Sequence, residues 1–541
     1  MRYKSSCSHR GGITFSPNDF MKGACDEAAI QSGSLAAPCA KSAEPWILAV
    51  AILGSSMAFI DSTIVNIALP ALQKNLGGTV VDMQCVVEGY GLFLSALILV
   101  GGSLGDLLGR RRMFLAGVAV FAIASARCGL AANIHQLVIA RAIQGVGAAF
   151  LVPGSLSIIS ASFSEKERGR AIGTWSGFTA ITIAIGPVLG GWLIEHVSWR
   201  WAFFINLPIA AAVIVLALWR VPESKNAEPA TVDWTGALLV TVGLAGVTYG
   251  FIESSSLGWS QPLVWGSLAT GCASLIAFLY VESRVKSPIV PLNLFRSRNF
   301  SGANLLTLFL YAALGIFFFL YPLNLIQVQH YSATAAGAAA LPLILLISSL
   351  SRWSGGLVAR YGPKLPLIVG PLIAALGFLL CAVPSTGGSY WRTFFPAFLV
   401  LGLGVAVSVA PLTTIVMSAV DQNRAGTASG INNAVARVAG LLSVATLGIV
   451  MVSAFSSHLD TSLGGLGLSA EITRDLQSNE IKLAAVTVPT GVDFSTATKV
   501  TAAVDHSFVY GFRVVMLICV GLSIVSALFA WWLIARDVKS P

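Results

Sequence analysis

The sequence predicts an all-α membrane protein, with two six-helix bundles and two extra transmembrane helices between them, fourteen spans in all. Three observations predict it. The chain is 55% hydrophobic and only 11% charged, whereas soluble domains run near 25% charged, because a water-facing surface of this length cannot be covered with less. The apolar residues gather into fourteen runs, each long enough for the roughly 20 residues that a helix needs to cross the hydrocarbon. The runs also lack the strict polar/apolar alternation of membrane strands.

The runs lie near 46–69, 84–105, 113–130, 136–159, 171–194, 201–219, 234–252, 263–280, 301–325, 337–358, 364–383, 393–417, 427–453 and 508–534. With the N-terminus inside, the inner segments carry 22 Lys and Arg and the outer loops 7, with four more inside spans. That bias places both termini in the cytoplasm and requires an even number of spans. It also accounts for the net charge of +9. The basic residues form short clusters between apolar runs, such as Arg110-Arg111-Arg112, and no basic stripe follows a phosphate backbone, so nucleic acid is excluded as a partner.

The eight cysteines are scattered singly, without a CxxC or a Cys/His cluster, so neither a disulfide framework nor a metal site is expected. His135, His196, His330, His458 and His506 fall in outer loops or at span ends and are read as solvated. Residues 1–45 are polar and aperiodic and lack the apolar core and cleavage site of a signal peptide. They are expected to form a disordered cytoplasmic tail, with Met21 as an alternative start.

An internal repeat sets the organisation. GGSLGDLLGRRR (101–112) follows span 2, and SGGLVARYGPK (354–364) follows span 10 about 253 residues later, so that Gly102, Leu104 and Gly109 answer to Gly355, Leu357 and Gly362. Likewise SEKERGRAIG (164–173) precedes span 5 and DQNRAGTASG (421–430) precedes span 13. The expected units are an N-terminal bundle at 46–219, a linker with two extra helices at 220–298, and a C-terminal bundle at 299–534. The C-terminal bundle includes a long outer loop at 454–507, read as a partly ordered cap, and residues 535–541 form a short cytoplasmic tail. Two related halves around a midplane site are a transporter architecture.

Ionisable groups within spans are costly and usually functional. The first half holds Asp61 in span 1, Glu88 in span 2 and Arg141 in span 4, all in the outer half of the bilayer, where they could line one cavity. A carboxyl group withdrawn from water takes up a proton more readily, and a neighbouring arginine or a cationic substrate opposes this. Exclusion of a proton by cargo on one carboxylate is the simplest antiport. The alternative is a permanent Arg–carboxylate brace between helices. Spans 9–13 contain no carboxylate but do contain Arg437, either a site residue or a structural partner of a carbonyl or a first-half acid.

In span 5, Gly186, Pro187, Gly190 and Gly191 permit close helix approach and a bend. Asp106, at the C-terminal end of its helix, needs a partner. That partner is either Arg110 at i,i+4 or the N-terminus of another helix, which would make it a cytoplasmic latch.

FIDSTIVNIALP (59–70), GGSLGDLLGRRR (101–112), LVIARAIQGVGAA (137–149), IAIGPVLGGWL (183–193) and SWRWAFFINLPI (198–209) occur in this order. Together they resemble the motifs of the major facilitator superfamily, specifically its 14-span drug:proton antiporters. The resemblance covers roughly residues 46–534 and implies the major-facilitator fold, with alternating access by rocking of the two halves. It implies proton- or substrate-linked roles for Asp61, Glu88 and Arg141. Asn66 and Gln144, within the same motifs, are carried as candidates beside them, with Arg437. The conformational gate is expected at Gly102, Asp106, Gly109 and Arg110 and at the span 5 glycines and proline.

The expected function is proton-coupled export of small organic compounds across a bacterial inner membrane. A dedicated metabolite exporter and, further off, an uptake symporter are the alternatives. No cofactor is expected beyond the proton gradient, and the partners are substrate, protons and lipid. A periplasmic adaptor protein is an optional further partner, and the chain is read as a monomer. No nucleophile–base set or metal cluster points to an enzyme.

Overall fold

The computed structural model describes residues 43–535, apart from 225–232, 287, 421–424, 467 and 487–492. The expected tails, Asp421 and most of the loop before span 13 lie outside the described residues. Among the described residues fourteen helices are long and apolar enough to cross a membrane, and there is no strand.

In chain order the fourteen are α1 (Glu44–Leu76), α2 (Val80–Leu108), α3 (Arg110–Gly129), α4 (Ile134–Ser162), α5 (Glu165–His196) and α6 (Trp201–Arg220). Then come α7 (Trp234–Leu257), α8 (Pro262–Glu282), α9 (Arg298–Leu323) and α10, in two pieces (Ala333–Ala339 and Leu341–Tyr361). The last four are α11 (Lys364–Cys381), α12 (Phe394–Ser418), α13 (Ala425–Gly464) and α14 (Phe494–Leu533).

Local chemistry sets several boundaries. Gly77, at φ +66°, ends α1 in the left-handed conformation that a residue without Cβ adopts freely. Two residues on, Thr79 and Asp82 cap each other's backbone to start α2, with Thr79 N–H donating to Asp82 Oδ2 at 2.7 Å and Asp82 N–H to Thr79 Oγ1 at 3.1 Å. Asn133 and Asp233 cap α4 and α7 one way, accepting from the Gln136 and Gly236 N–H groups.

The structure differs from the sequence expectation at the ends of three helices. α1 runs seven residues past the predicted end at 69. α13 continues to Gly464 and α14 begins at Phe494, so helix occupies much of the expected loop at 454–507. The remainder holds a short helix, Ala470–Ser478, and a 3₁₀ segment, Glu480–Ala485. The apolar run underestimates these helices because their projecting turns carry polar residues. His458, read as solvated, instead stacks on Tyr510 at 4.7 Å and bonds Ser507 at 3.0 Å between α13 and α14.

Small residues set the packing within each half. A Cβ on Gly117 or Gly147 would strike the facing backbone between α3 and α4, and Gly370 and Gly404 do the same between α11 and α12. Close backbone approach of this kind supplies dispersion contacts where lipid removes the hydrophobic driving force between helices. The repeat is visible in the backbone: Gly109 and Gly362, equivalent in sequence, both hold positive φ, +113° and +72°. α7 and α8 form a hairpin packed through Gly246 and Gly271, with α7 against α2 of the first half and α13 of the second.

The halves meet firmly at the end of the bundle that carries the Gly77 turn and the 454–507 segment. Gly191 of α5 lies against the Ala333 carbonyl and Gly337 of α10 against the Pro187 carbonyl. Glu195 caps α10 from the other half, accepting from Thr334 Oγ1 at 2.6 Å and Thr334 N–H at 3.2 Å. Gln327 donates to Gln73 at 2.9 Å, and Gln84 donates to the Val444 carbonyl at 3.0 Å.

Candidate functional site

α1 brings Asp61 into the first half, where it is completely buried. α4 runs in the opposite direction and supplies Arg141 and Gln144, three residues apart and therefore on one face. The Arg141 guanidinium pairs with Asp61 Oδ2 and donates to Gln144 Oε1 at 2.7 Å and, through Nε, to the Val86 carbonyl at 3.2 Å. Gln144 Nε2 donates to Asp61 Oδ1 at 2.8 Å and to Ser125 Oγ at 2.7 Å. Asn206, at the start of the helical segment Asn206–Arg220, reaches both Asp61 Oδ1 (3.3 Å) and Ser125 (3.2 Å). The Tyr90 ring covers the guanidinium at 4.3 Å.

Four helices of the first bundle besides α1 are thus tied to one carboxylate. A buried ion pair survives only when its remaining donors and acceptors are satisfied in this way.

Beside the network lies a cavity of about 220 Å³ between the two halves. Asn66, Glu88, Tyr90 and Arg141 line it from the first half, and Phe318, Phe319 and Arg437 from the second. The expectation that Asp61, Glu88 and Arg141 share one cavity is corrected for Asp61. Its carboxylate sits behind Arg141, because the network that compensates its charge also closes it off. Glu88 is 4% exposed and its Oε2 has no hydrogen-bond partner among the described residues. Arg437 likewise has no ion-pair partner among the described residues.

The gate candidates divide into two groups. Gly186 and Gly190 face α1, where a Cβ would strike Thr63 and Ile64, whereas Gly191 and the Pro187 carbonyl face α10. At the opposite end Asp106 is held by Arg110 of the same turn, at 2.8 and 2.9 Å. Gly102 faces Pro153 in ordinary contact. Gly109 brings its backbone against Glu223, whose carboxylate accepts from the Arg111 and Arg112 N–H groups at the start of α3.

Sequence reading missed Tyr90, Ser125, Asn206, Glu195 and Glu223. Asn206 stands within a motif already singled out, and Tyr90 lies two residues after Glu88. Ser125 gives no signal in a run of small residues.

The model of the Major Facilitator Superfamily matches residues 51–444. The chain belongs to this superfamily. The facilitator is 32% identical over 511 residues to multidrug resistance protein Stp of Mycobacterium tuberculosis, covering 90% of this chain and 91% of that protein. It is 34% identical over 414 residues to the tetracenomycin C resistance and export protein of Streptomyces glaucescens, covering 76% of each. It is 32% identical to puromycin resistance protein pur8 of Streptomyces alboniger, over 90% and 91% of the two chains.

Among solved structures the facilitator resembles a bacterial homologue of the human lysosomal transporter Spinster. The TM-score is 0.62 at 16% identity, over 91% of this chain and 98% of that one, a likeness of fold. The facilitator is therefore a multi-pass secondary transporter related to drug-resistance exporters, and not an enzyme. Among the described residues no cluster of His, Cys, Asp or Glu is placed to hold a metal ion.

Proposed function

We propose that this facilitator exports small amphiphilic organic compounds from a bacterial cell in exchange for protons, by alternating access, as a monomer in the inner membrane with both termini cytoplasmic. The observation that carries the reading is the position of Arg141. Its guanidinium is bound to Asp61, and the same residue lines the cavity between the halves.

A proton arriving on Asp61 cancels the charge that holds Arg141 and leaves the guanidinium free to act on the cavity. Cargo that repels Arg141 pushes the guanidinium back onto Asp61 and so favours release of the proton, whereas cargo that draws Arg141 away leaves the proton in place. Asp61 thus couples to cargo through one intervening side chain, with Gln144, Ser125 and Asn206 as the hydrogen-bonding reserve that keeps either state satisfied. Glu88, Asn66 and Arg437 are the groups in direct reach of cargo. Moving one charge across 100 mV supplies about 2.3 kcal/mol, enough to sustain a gradient of several tens-fold at about 1.4 kcal/mol per decade.

Release requires the seal made by Gly191, Gly337 and Glu195 to open, with the Asp106–Gly109–Arg110 turn governing the opposite end. The names of the relatives, which carry resistance and export, support an outward direction.

The test is flux in proteoliposomes under an imposed pH gradient, with ethidium and puromycin as probes. Wild-type protein is expected to drive the probe against its gradient, and Asp61→Asn to abolish that drive while leaving downhill exchange measurable. Undiminished pH-driven flux in Asp61→Asn would overturn the proposal.

A further inference from the structure

A second, larger crevice lies outside the central cavity, between α2 and α4 of the first bundle and the extra hairpin α7–α8. It measures about 910 Å³, within the roughly 300–1,000 Å³ of small-molecule sites. Its walls are apolar or small, and its polar groups are the Glu88 carboxyl and a few hydroxyls, among them Thr248 and Ser267. No lysine, arginine or histidine lines it. Among the described residues two of the polar groups are buried without partners: Glu88 Oε2 and Thr248 Oγ1, on residues each 4% exposed. A buried carboxylate oxygen with no bonding partner is costly unless the group holds a proton or meets a cation.

The contributing residues share a depth. Glu88 lies eight residues into α2, Tyr249 eight residues before the end of α7 and Gly266 four residues into α8. At 1.5 Å per residue all three fall within about 12 Å of the same end of the bundle. The rim faces outward, with Tyr249 and Leu263 42% and 53% exposed. Glu88 also lines the central cavity, so one carboxyl group stands between the two spaces.

We infer that this crevice is a lateral binding site for lipophilic organic cations, which approach from the bilayer between α7–α8 and α2 and are held by Glu88. The cation replaces the proton on Glu88, and the aryl or alkyl groups lie against the apolar faces of α7 and α8. The two extra helices thereby serve as the outer wall of a site that the two-bundle architecture alone does not contain. The inference rests on the exporter reading for its choice of ligand, but it concerns binding at equilibrium and requires no gradient.

The test uses the full chain in lipid nanodiscs without a pH gradient. The probes are tritiated tetraphenylphosphonium, its photoreactive azido derivative, and the uncharged azido-tetraphenylmethane of the same shape. The phosphonium probe is expected to label peptides within 242–270. Glu88→Gln is expected to weaken phosphonium binding at least tenfold while sparing labelling by the uncharged probe. Gly266→Trp, at a position where an added Cβ meets nothing within 4 Å, is expected to fill the crevice and abolish labelling by both.

Labelling confined to α9 and α13 around the central cavity would overturn the inference, as would α7–α8 labelling indifferent to Glu88→Gln. Failure to displace brominated lipid from the crevice would assign it to acyl chains and overturn it equally. Absence of pH-driven flux in the wild-type protein, with labelling here intact, would sink the antiport reading alone.

Discussion

The two halves of the molecule share a turn and differ at their centres. Gly109 and Gly362 both hold positive φ at equivalent places, yet the groups packed inside the bundles are of opposite kinds. The first half centres on a charge pair, Asp61–Arg141, wrapped in amide and hydroxyl groups. The second centres on packed rings, with Phe317 stacked on Tyr321 at 5.4 Å and edge-on to Phe398 and Phe378 at 5.7 and 5.8 Å. At the 253-residue offset relating the two turns, Asp61 falls on Leu314 and Arg141 on Phe394, both buried. Between α9 and α13 the second half has a neutral polar contact instead, in which Asn432 donates to Asn304 at 3.2 Å and to Thr307 at 2.7 Å. The difference teaches that an inherited scaffold can keep its packing rules while only one copy keeps a buried carboxylate–arginine pair, the other setting packed rings and Arg437 against it.

The sharpest way to break that contrast is to remove one partner of the buried pair. Arg141→Ala leaves the Asp61 charge unmatched at 0% exposure and is expected to cost about 3–5 kcal/mol, read as a collapse of the thermal transition in detergent. The double change Asp61→Asn with Arg141→Gln removes both charges and is expected to recover most of the stability but none of the pH-driven flux. Recovery of flux with both charges gone would place the coupling elsewhere.

Next in size is the seal between the halves. Gly337→Val drives a side chain into the Pro187 carbonyl and is expected to favour the state open at that end. Cysteines placed at Gln73 and Gln327 should then react with an impermeant maleimide severalfold faster.

Arg437 sharpens the comparison from the other half. It has no ion-pair partner among the described residues, so Arg437→Gln is expected to shift the thermal transition far less than Arg141→Ala while altering substrate preference between cationic and anionic probes. The smallest effect is expected at Arg112. Its side chain is 78% exposed and lies 3.7 Å from Glu223, so Arg112→Ala should cost roughly 0.2–1 kcal/mol and leave flux intact.

Much of this was legible in one sequence because a bilayer imposes few solutions. Fourteen apolar runs can only be helices, and a glycine turn repeated at a fixed offset reveals duplication. The charged residues within spans stand out against their surroundings, so Asp61, Glu88, Arg141 and Arg437 were visible at once. Ser125 was not, because a serine among alanines on α3 carries no sign that Gln144 reaches it. Glu195 and Glu223 were equally silent, since a carboxylate at a helix end reads as solvated until the helix opposite it is known.

The chain alone determined the number of crossings, the two-half organisation and which ionisable groups lie at membrane depth, because each follows from local composition against a fixed hydrocarbon thickness. The fold decided what those groups face. Asp61 is enclosed behind Arg141, whereas Glu88 borders two cavities at once, and neither fact is written in spacing. Partner and exposure depend on how helices distant in sequence rotate and cross, and only the packed tertiary structure fixes those angles.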